Sequence, residues 1–259
     1  MELDLTGKRV VVTGAGRGIG LAVVRGFVAE GAHVVAGSRK ISPALRELAA
    51  TGAVTPVAVD LAGPGGPDDL VAAAGDRVDI LVNNVGLATP RPEGFLAVTD
   101  DMWATTWNLN VMAAVRATRA VLPIMLAAGA GVVVNTGSVN ARLADPLVVD
   151  YSAAKAALTN LAKSLSKEYG SRGIRVNTVA PGPVATDLWL GTDGVAETVA
   201  AANGTTPDEI AAGAAAAMVT GRFTRPEEVA DLVLLLASDR TGNVTGAEVS
   251  IDGGMLTSW

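Results

Sequence analysis

The chain has 259 residues, of which 49% are hydrophobic and 18% charged, and this composition favours one large folded α/β domain over disorder. Its formal net charge is −6 without any long basic run, so nucleic acid is not an expected partner. The absence of cysteine excludes disulfides, thiolate metal sites and cysteine nucleophiles.

The first residues, Met1-Glu2-Leu3-Asp4, are acidic where a signal peptide is basic. No apolar run reaches about 18 residues, the length that a membrane helix needs. We therefore expect a cytoplasmic protein without a membrane-spanning segment.

Short runs rich in β-branched residues recur along the chain and alternate with helical stretches. Nearly all-apolar strands are typical of a parallel sheet that is covered on both faces. The alternation predicts a single doubly wound α/β domain of the Rossmann type over residues 1–259, with helices on both faces. The predicted strands are 9–13, 33–37, 54–59, 79–82, 131–135, 174–179 and 248–251.

A glycine-rich turn follows the first strand, where residues 13–20 read TGAGRGIG and a helix opens at about 17–19. The spacing is GxxxGxG rather than GxGxxG. Free N–H groups at a helix N-terminus bind a pyrophosphate, although an ordinary strand-to-helix loop is the alternative. The cofactor contacts predicted here are Gly14, Gly16, Arg17, Gly18 and Ile19.

The second strand ends at Ser38 and is followed by Arg39 and Lys40, with no acidic residue between positions 32 and 41. NAD-binding folds place an acid there to hold the ribose 2′-hydroxyl. Arg39 and Lys40, with Arg17 of the glycine loop, suit a 2′-phosphate where that acid is missing, so NADP(H) is preferred over NAD(H). The predicted cofactor contacts here are Ser38, Arg39 and Lys40. The alternative is that Arg39 and Lys40 only solvate a strand end. Asp60, with Leu61, is predicted to contact the adenine, and a helix N-cap is the alternative for Asp60.

Tyr151 and Lys155 are spaced i,i+4 on a helix predicted to run to about residue 169. A tyrosine, whose pKa is about 10, becomes a useful base when a nearby cation stabilises its phenolate. Ser138, thirteen residues before Tyr151, offers a hydroxyl to polarise a carbonyl. An exposed Tyr and Lys without function is the alternative for the pair taken alone.

These motifs together resemble the short-chain dehydrogenase/reductase family, in the branch of the 3-oxoacyl-carrier-protein reductases, over nearly the whole chain. The match comprises TGxxxGxG at 13–20, NNVG at 83–86 where the family has NNAG, Asn110, Ser138, YxxxK at 151–155, Pro181-Gly182 and Thr186. The resemblance implies strand order 3-2-1-4-5-6-7 and a homotetramer.

The resemblance also implies catalytic roles. Tyr151 protonates the carbonyl oxygen or removes the hydroxyl proton, and Lys155 lowers the pKa of Tyr151 and binds the nicotinamide ribose. Ser138 holds the substrate oxygen, and Asn110 anchors a water in a proton relay toward Lys155. For Asn83 we prefer a structural role between neighbouring strands. Further implied cofactor contacts are Asn84, Gly86, Tyr151, Lys155, Pro181, Gly182, Val184 and Thr186.

Residues 188–220 are Ala- and Gly-rich without a strand pattern, which predicts one or two helices that form a lid over the substrate. The mostly apolar residues around the pocket suit a bulky, weakly polar ketone or secondary alcohol. Packing of the lid against the body is the alternative for Trp189. The predicted substrate contacts are Ser138, Asn140, Leu143, Val148, Tyr151, Trp189 and Leu190.

Two other functions stay open. A 3-oxoacyl-carrier-protein reductase would dock an acidic protein, but 126–131 carries no cation and only Arg172 is suitably placed. A non-catalytic dinucleotide sensor or scaffold is disfavoured because all four catalytic residues are present. No metal site is expected, since His33 is the only histidine and lies on a strand.

Overall fold

The computed structural model describes residues 2–257 and has the seven strands that the apolar runs predict. Their bounds differ from the predicted ones by at most two residues. The strands are β1 Arg9–Thr13, β2 His33–Ser38, β3 Val54–Ala58, β4 Ile80–Asn83, β5 Gly131–Thr136, β6 Ile174–Pro181 and β7 Glu248–Ile251.

The seven strands form one parallel sheet in the order β3-β2-β1-β4-β5-β6-β7, which confirms the predicted fold class and strand order. Val11 of β1 pairs with Val35 of β2 on one side and with Leu81 of β4 on the other. The chain therefore reverses its winding direction between β1 and β4. Such a switch point opens a crevice at the carboxyl ends of the strands, where ligands bind.

Helices connect the strands and cover both faces of the sheet. Their bounds are α1 Gly18–Ala29, α2 Pro43–Ala50, α3 Gly66–Ala72, α4 Asp100–Trp107, α5 Ala113–Ala128, α6 Val149–Tyr169, α7 Asp187–Leu190, α8 Val195–Asn203, α9 Pro207–Ala216 and α10 Pro226–Ala237.

A one-turn π-helix at Asn108–Met112 joins α4 to α5, so that Asp100–Ala128 is one continuous helix. By length and composition this helix could cross a membrane, with a mean hydropathy of 1.6 in its most apolar 18-residue window. Of that window, 44% is buried inside the protein, and a buried core helix meets the same criteria.

The core lies on both faces of the sheet because alternate residues of each strand point to opposite sides. Val10 and Val12 of β1 belong to a cluster that includes Phe27 of α1 and Val229 of α10. Val11 belongs to the opposite cluster, together with Val121 of α5. All six side chains are fully buried, so the two layers fix the sheet and hold its carboxyl edge in place.

The segment 188–220 forms three helices rather than the one or two predicted, since α7 precedes α8 and α9. Gly191 and Gly194 separate α7 from α8, and Pro207 starts α9 behind an N-cap at Thr206. These turn-forming residues divide a segment whose Ala-rich composition suggests longer helices.

Arg175 on β6 caps the C-terminus of α10, since its guanidinium donates to the carbonyl oxygens of Leu236 at 2.8 Å and Ser238 at 2.9 Å. We expect Arg175→Met to lower the free energy of unfolding by about 2–4 kcal/mol, because buried helix carbonyls lose a charged donor. Urea unfolding measures the change. Arg222→Met, which breaks a surface pair with Glu228, should lower the free energy of unfolding much less, and an equal loss in both variants would contradict the capping role.

Candidate active site

A cavity of about 1260 Å³ opens at the carboxyl edge of the sheet. One end is lined by the glycine loop and by the residues that follow β2 and β3. The other end is lined by the loop between β5 and α6, by helices α7, α8 and α9, and by Met255. The loop after β4 and the start of α6 form the wall between these ends.

The glycine loop connects β1 to α1 and leaves the first turn of the helix open. Arg17, the N-cap residue of α1, makes no side-chain hydrogen bond to the helix. A Cβ atom at Gly20 would overlap the carbonyl oxygen of Gly14, so the turn requires glycine there. Asn84 holds the loop against β4, because its Nδ2 donates to the carbonyl oxygens of Thr13 and Gly14 at 3.1 Å each. Free N–H groups at this N-terminus fit a dinucleotide diphosphate.

Three cations stand at the same end of the cavity. Ser38 is buried against the loop, where a Cβ atom on Gly16 would lie 3.2 Å from the Ser38 Cβ. Arg39 and Lys40 follow it, exposed, and within residues 2–257 neither forms an ion pair with a carboxylate. Arg17 lies 3.9 Å from Asp187, but both side chains are about 70% exposed, so this contact is weak. The cations are therefore available to a phosphate.

Asp60 and Leu61 line the cavity beyond β3. The Oδ1 atom of Asp60 accepts a hydrogen bond from the Ala62 N–H at 3.1 Å, which forms a local turn. The nearest helix, α3, has Gly65 as its N-cap. The alternative of a helix N-cap at Asp60 is therefore wrong.

Ser138, Tyr151 and Lys155 line one wall of the cavity. Ser138 follows β5, and its hydroxyl accepts from the Asn140 N–H at 3.2 Å and donates to Asn140 Oδ1 at 3.1 Å. Tyr151 lies in the first turn of α6. Lys155, one turn later, donates from Nζ to the Thr136 carbonyl oxygen at 2.8 Å, and its Nζ lies 5.5 Å from the Tyr151 ring centre. The fold thus brings together the three side chains that the sequence pairs only by spacing.

Burial shifts the titration of both ionisable groups on this wall. It raises the pKa of the Tyr151 phenol, and a hydrogen bond with Ser138 offsets part of that rise. It lowers the pKa of the Lys155 ammonium to about 8. In the protein alone the pKa of Tyr151 is therefore raised on balance, and the Lys155 ammonium donates to the Thr136 carbonyl oxygen.

Asn110 lies behind this wall rather than in it, only 1% exposed and within the π-helical turn. Its Nδ2 donates to the carbonyl oxygens of Leu87 at 2.9 Å and Thr106 at 3.0 Å, and its Oδ1 accepts from the Leu87 N–H at 3.2 Å. A Cβ atom at Gly86 would lie 2.8 Å from Asn110 Oδ1 and 3.3 Å from Lys155 Nζ. Asn110 and Lys155 therefore approach the same point beside Gly86.

Asn83 has the structural role that we prefer for it. Its Nδ2 donates to Thr118 Oγ1 on α5 at 3.0 Å and to Asn135 Oδ1 on β5 at 2.9 Å. These bonds tie β4 to its neighbours just below the cavity.

The remaining residues predicted to bind the cofactor also line the cavity. Thr186 is the N-cap residue of α7, and Val184 is buried and pairs with Thr224. The lining members of this group are Asn84, Gly86, Pro181, Gly182, Val184 and Thr186.

Of the predicted substrate contacts, Asn140, Leu143, Val148 and Trp189 line the cavity, and Leu190 does not. Leu190 lies outside the lining because one further residue along α7 rotates the side chain by about 100°, and it is 50% exposed. Trp189 also packs edge-on against Phe223, with the ring centres 5.5 Å apart. It therefore both lines the cavity and packs against the body of the protein, as the alternative interpretation of Trp189 predicts.

Sequence reasoning missed several lining residues. Val195 and Val199 on α8, and Ile210 and Ala214 on α9, are i,i+4 pairs whose spacing could have revealed them. Met255 reaches the cavity because the buried Asp252 carboxylate accepts from the N–H groups of Gly254 at 3.0 Å and Leu256 at 2.8 Å. That turn has no periodic signal.

Residues 2–257 contain no group of three or more His, Asp or Glu side chains that could hold a metal ion. The ring of His33 lies 3.0 Å from Thr55 Oγ1 on the neighbouring strand.

Comparison with known proteins places the chain among reductases. Residues 14–256 match the family model described as enoyl-(acyl carrier protein) reductase. The chain is 35% identical to L-xylulose reductase of Mus musculus over 100% of both chains. It is 32% identical to 3-oxoacyl-[acyl-carrier-protein] reductase FabG of Thermotoga maritima, covering 98% of this chain and 100% of the relative. The crystal structure of L-sorbose reductase from Gluconobacter frateurii, complexed with NADPH and L-sorbose, superposes with a TM-score of 0.91 at 34% identity over 100% of both chains.

Proposed function

Because this chain belongs to the short-chain dehydrogenase/reductase family, we propose that it interconverts a ketone and a secondary alcohol on a bulky, mostly apolar small molecule with NADP(H). The family assignment already makes it an oxidoreductase that uses a nicotinamide dinucleotide. The preference for NADP(H) over NAD(H) and the apolar character of the substrate are the further parts of the proposal.

The observation that carries the substrate proposal is the distribution of cations along the cavity. Among residues 2–257, the cations that line it are Arg17, Arg39 and Lys40 at the cofactor end and the catalytic Lys155. Three polar side chains at the other end already have partners within the protein. Asn140 donates to the Leu143 carbonyl oxygen, Asp145 accepts from the Leu147 N–H, and Asp187 lies 3.9 Å from Arg17. An uncharged, apolar substrate suits such walls. The apolar lining there is Leu143, Leu147, Val148, Leu188, Trp189, Val195, Val199, Ile210 and Met255.

In the proposed reduction, bound NADPH supplies the hydride that adds to the carbonyl carbon. The Tyr151 hydroxyl gives its proton to the carbonyl oxygen as the C=O bond becomes a C–O bond. The Ser138 hydroxyl donates a hydrogen bond to the same oxygen and stabilises the charge that develops on it. Oxidation follows the same path in reverse.

The phenolate left on Tyr151 must regain a proton. The Lys155 Nζ lies 5.5 Å from the Tyr151 ring centre, so its ammonium would stabilise the phenolate once that charge forms. Asn110 Oδ1 accepts only one hydrogen bond within the described protein, so a second lone pair can hold a water beside Gly86. In this relay Lys155 would give a proton to the Tyr151 phenolate and then regain one from that water.

Arg39→Asp tests the cofactor proposal. A charged contact to the 2′-phosphate is lost and an acid is gained, so the ratio of kcat/KM with NADPH to that with NADH should fall by about 10- to 100-fold. The control is Arg46→Asp, the same charge change at an exposed position on α2 outside the cavity, which should leave the ratio unchanged. A wild-type preference for NADH would overturn the roles of Arg17, Arg39 and Lys40.

A panel of carbonyl compounds and alcohols, followed by the absorbance of the reduced cofactor, tests the substrate proposal. It should include bulky cyclic ketones, the ketoses L-xylulose and L-sorbose, and acetoacetyl thioesters. We expect kcat/KM for the best bulky ketone to exceed that for either ketose by at least about tenfold, since the apolar walls leave sugar hydroxyls unpaired. A preference for ketoses would contradict the apolar-substrate proposal.

The second candidate, a 3-oxoacyl-carrier-protein reductase, is favoured by the FabG relative and by the matching family model. Against it, Arg172 is the only cation that we predict where an acidic carrier protein would dock. Its guanidinium stacks over the Tyr169 ring at 6.0 Å, so one face of that cation is covered. Turnover of acetoacetyl thioesters above all ketones would favour this candidate. Cofactor binding without turnover of any compound would favour the non-catalytic sensor or scaffold.

The homotetramer and the cytoplasmic location remain predictions. Support for assembly comes from exposed apolar side chains: Phe95 is 63% exposed and Leu96 96%. Such side chains mark interaction surfaces when they cluster. Light scattering should give the mass of four chains, and a monomer at micromolar concentration would contradict the prediction.

A further inference from the structure

An ion pair lies directly before the catalytic tyrosine and has no part in the reaction as proposed. Asp150, in the first turn of α6, is 2.7 Å from Arg91 in the loop after β4, and the two side chains are only 1% and 13% exposed. The Arg91 Nε is also buried without an acceptor in the described residues. A buried pair with an unsatisfied donor contributes little net stability, because desolvation offsets the attraction.

The Asp150 carboxylate joins three segments of the chain. Its Oδ2 accepts from Arg91 Nη2 and from Thr106 Oγ1 on α4, both at 2.7 Å. Its Oδ1 accepts from the Tyr151 N–H at 3.1 Å. These bonds outweigh the effect of burial and hold the pKa of Asp150 below its usual value, so the carboxylate is charged at neutral pH. The Asp150 carboxylate thus holds the backbone N–H of Tyr151, and Arg91 and Thr106 in turn hold the carboxylate.

The same network reaches two other parts of the site. The Arg91 N–H donates to the Leu147 carbonyl oxygen at 2.7 Å, and Leu147 lines the substrate end of the cavity. Thr106 offers its carbonyl oxygen to Asn110 Nδ2 at 3.0 Å. A shift of Arg91 or Asp150 would therefore move Tyr151, Leu147 and Asn110 relative to one another.

We propose that Arg91 and Asp150 are positioning residues for the reaction, which hold Tyr151 in register with the substrate wall at Leu147. This inference rests on the proposed function, since it presumes that Tyr151 is the acid/base. A misplacement of about 1 Å can lower the rate by about 10²-fold. The loss of a pair that fixes two sides of the site should therefore lower kcat strongly.

The test compares Arg91→Met and Asp150→Asn with wild type on the best carbonyl substrate from the panel. The melting temperature of each variant is determined first, and NADPH Kd, kcat and KM are then measured well below the lowest of them. We expect kcat to fall at least tenfold in each variant while the NADPH Kd stays within twofold. Arg91→Lys, which keeps a cation for Asp150, should recover most of kcat. The double variant should lose little more than either single one, since both changes break one unit.

Arg175→Met is the matched control, because it removes an arginine that is partly buried but caps α10 outside the cavity. It should lower the melting temperature and leave kcat unchanged. If Arg91→Met and Asp150→Asn behave like this control, with kcat and KM within twofold of wild type, the positioning role is overturned.

Should either variant fail to fold, Thr106→Val carries the test. It removes one donor from Asp150 in nearly the same volume, and we expect a three- to tenfold loss of kcat with the fold intact. Wild-type kcat in Thr106→Val would overturn the proposal. Failure of the proposed function itself gives a different result, since the wild type would then reduce no carbonyl at all.

Discussion

Tyr151→Phe is expected to lower kcat/KM for carbonyl reduction by about 10³-fold, within the 10² to 10⁴ range typical of a lost general acid. Phenylalanine keeps the ring and its volume, so only the proton donor and its hydrogen bond with Ser138 are removed. The NADPH Kd should stay within a few-fold and the circular dichroism spectrum should be unchanged. Steady-state kinetics with the best substrate and a fluorescence titration of NADPH measure both quantities.

The chain provides a matched control, since it contains only one other tyrosine. Tyr169 lies on the same helix α6, outside the cavity, and its ring is covered by Arg172. Tyr169→Phe should leave the kinetics unchanged. Wild-type rates in Tyr151→Phe would show that the proton comes from elsewhere, and equal losses in both variants would indicate a general effect on α6.

Lys155→Met should abolish turnover and yet stabilise the cofactor-free protein. Burial lowers the pKa of Lys155 from its ordinary 10.5 to about 8, so folding disfavours the charged form. Between these values the unfolded chain binds the proton more tightly, and wild-type stability rises with pH. Below about pH 8 both states hold the proton and the folded state bears the full cost. Methionine removes that cost, and we expect the free energy of unfolding at pH 7 to rise by about 1–3 kcal/mol.

Urea unfolding at pH 7 and pH 9.5 measures the effect. The difference between Lys155→Met and wild type should shrink by more than half at pH 9.5, where the wild-type lysine has lost most of its proton in the folded state. Lys167→Met, at an exposed position near the end of α6, should not increase stability at either pH. A destabilised Lys155→Met at pH 7 would mean that the bond to the Thr136 carbonyl outweighs the cost of burial.

Local sequence patterns predict the features that depend on neighbouring residues, such as strands and the faces of helices. β-branched runs predict all seven strands, and the i,i+4 spacing of Tyr151 and Lys155 places both on the cavity wall. The strand order comes from the family resemblance, which the sheet confirms. Contacts that depend on distant parts of the chain escape such patterns. Asp150 stands beside Tyr151 in the sequence, but its partner Arg91 is 59 residues earlier and only the fold brings the two together.

Helix α7 shows the limit at short range. Trp189 and Leu190 have similar chemistry and adjacent positions, and only one of them lines the cavity. A four-residue helix offers too few residues for periodicity to define its inner face. Met255 escapes prediction for another reason, since a carboxylate turn rather than a regular element brings it to the cavity.

The π-helical turn at Asn108–Met112 makes the continuous helix Asp100–Ala128 intolerant of changes in length. Each residue of a helix advances the side-chain direction by about 100°, so deleting one residue within the turn would rotate α4 by that angle relative to α5. Thr106 would then leave Asp150, and Asn110 would leave Leu87, although no side chain had been altered. The positions of Thr106 and Asn110 in the site thus depend on the number of residues between α4 and α5. Deleting one residue there should be as damaging as the loss of a catalytic group.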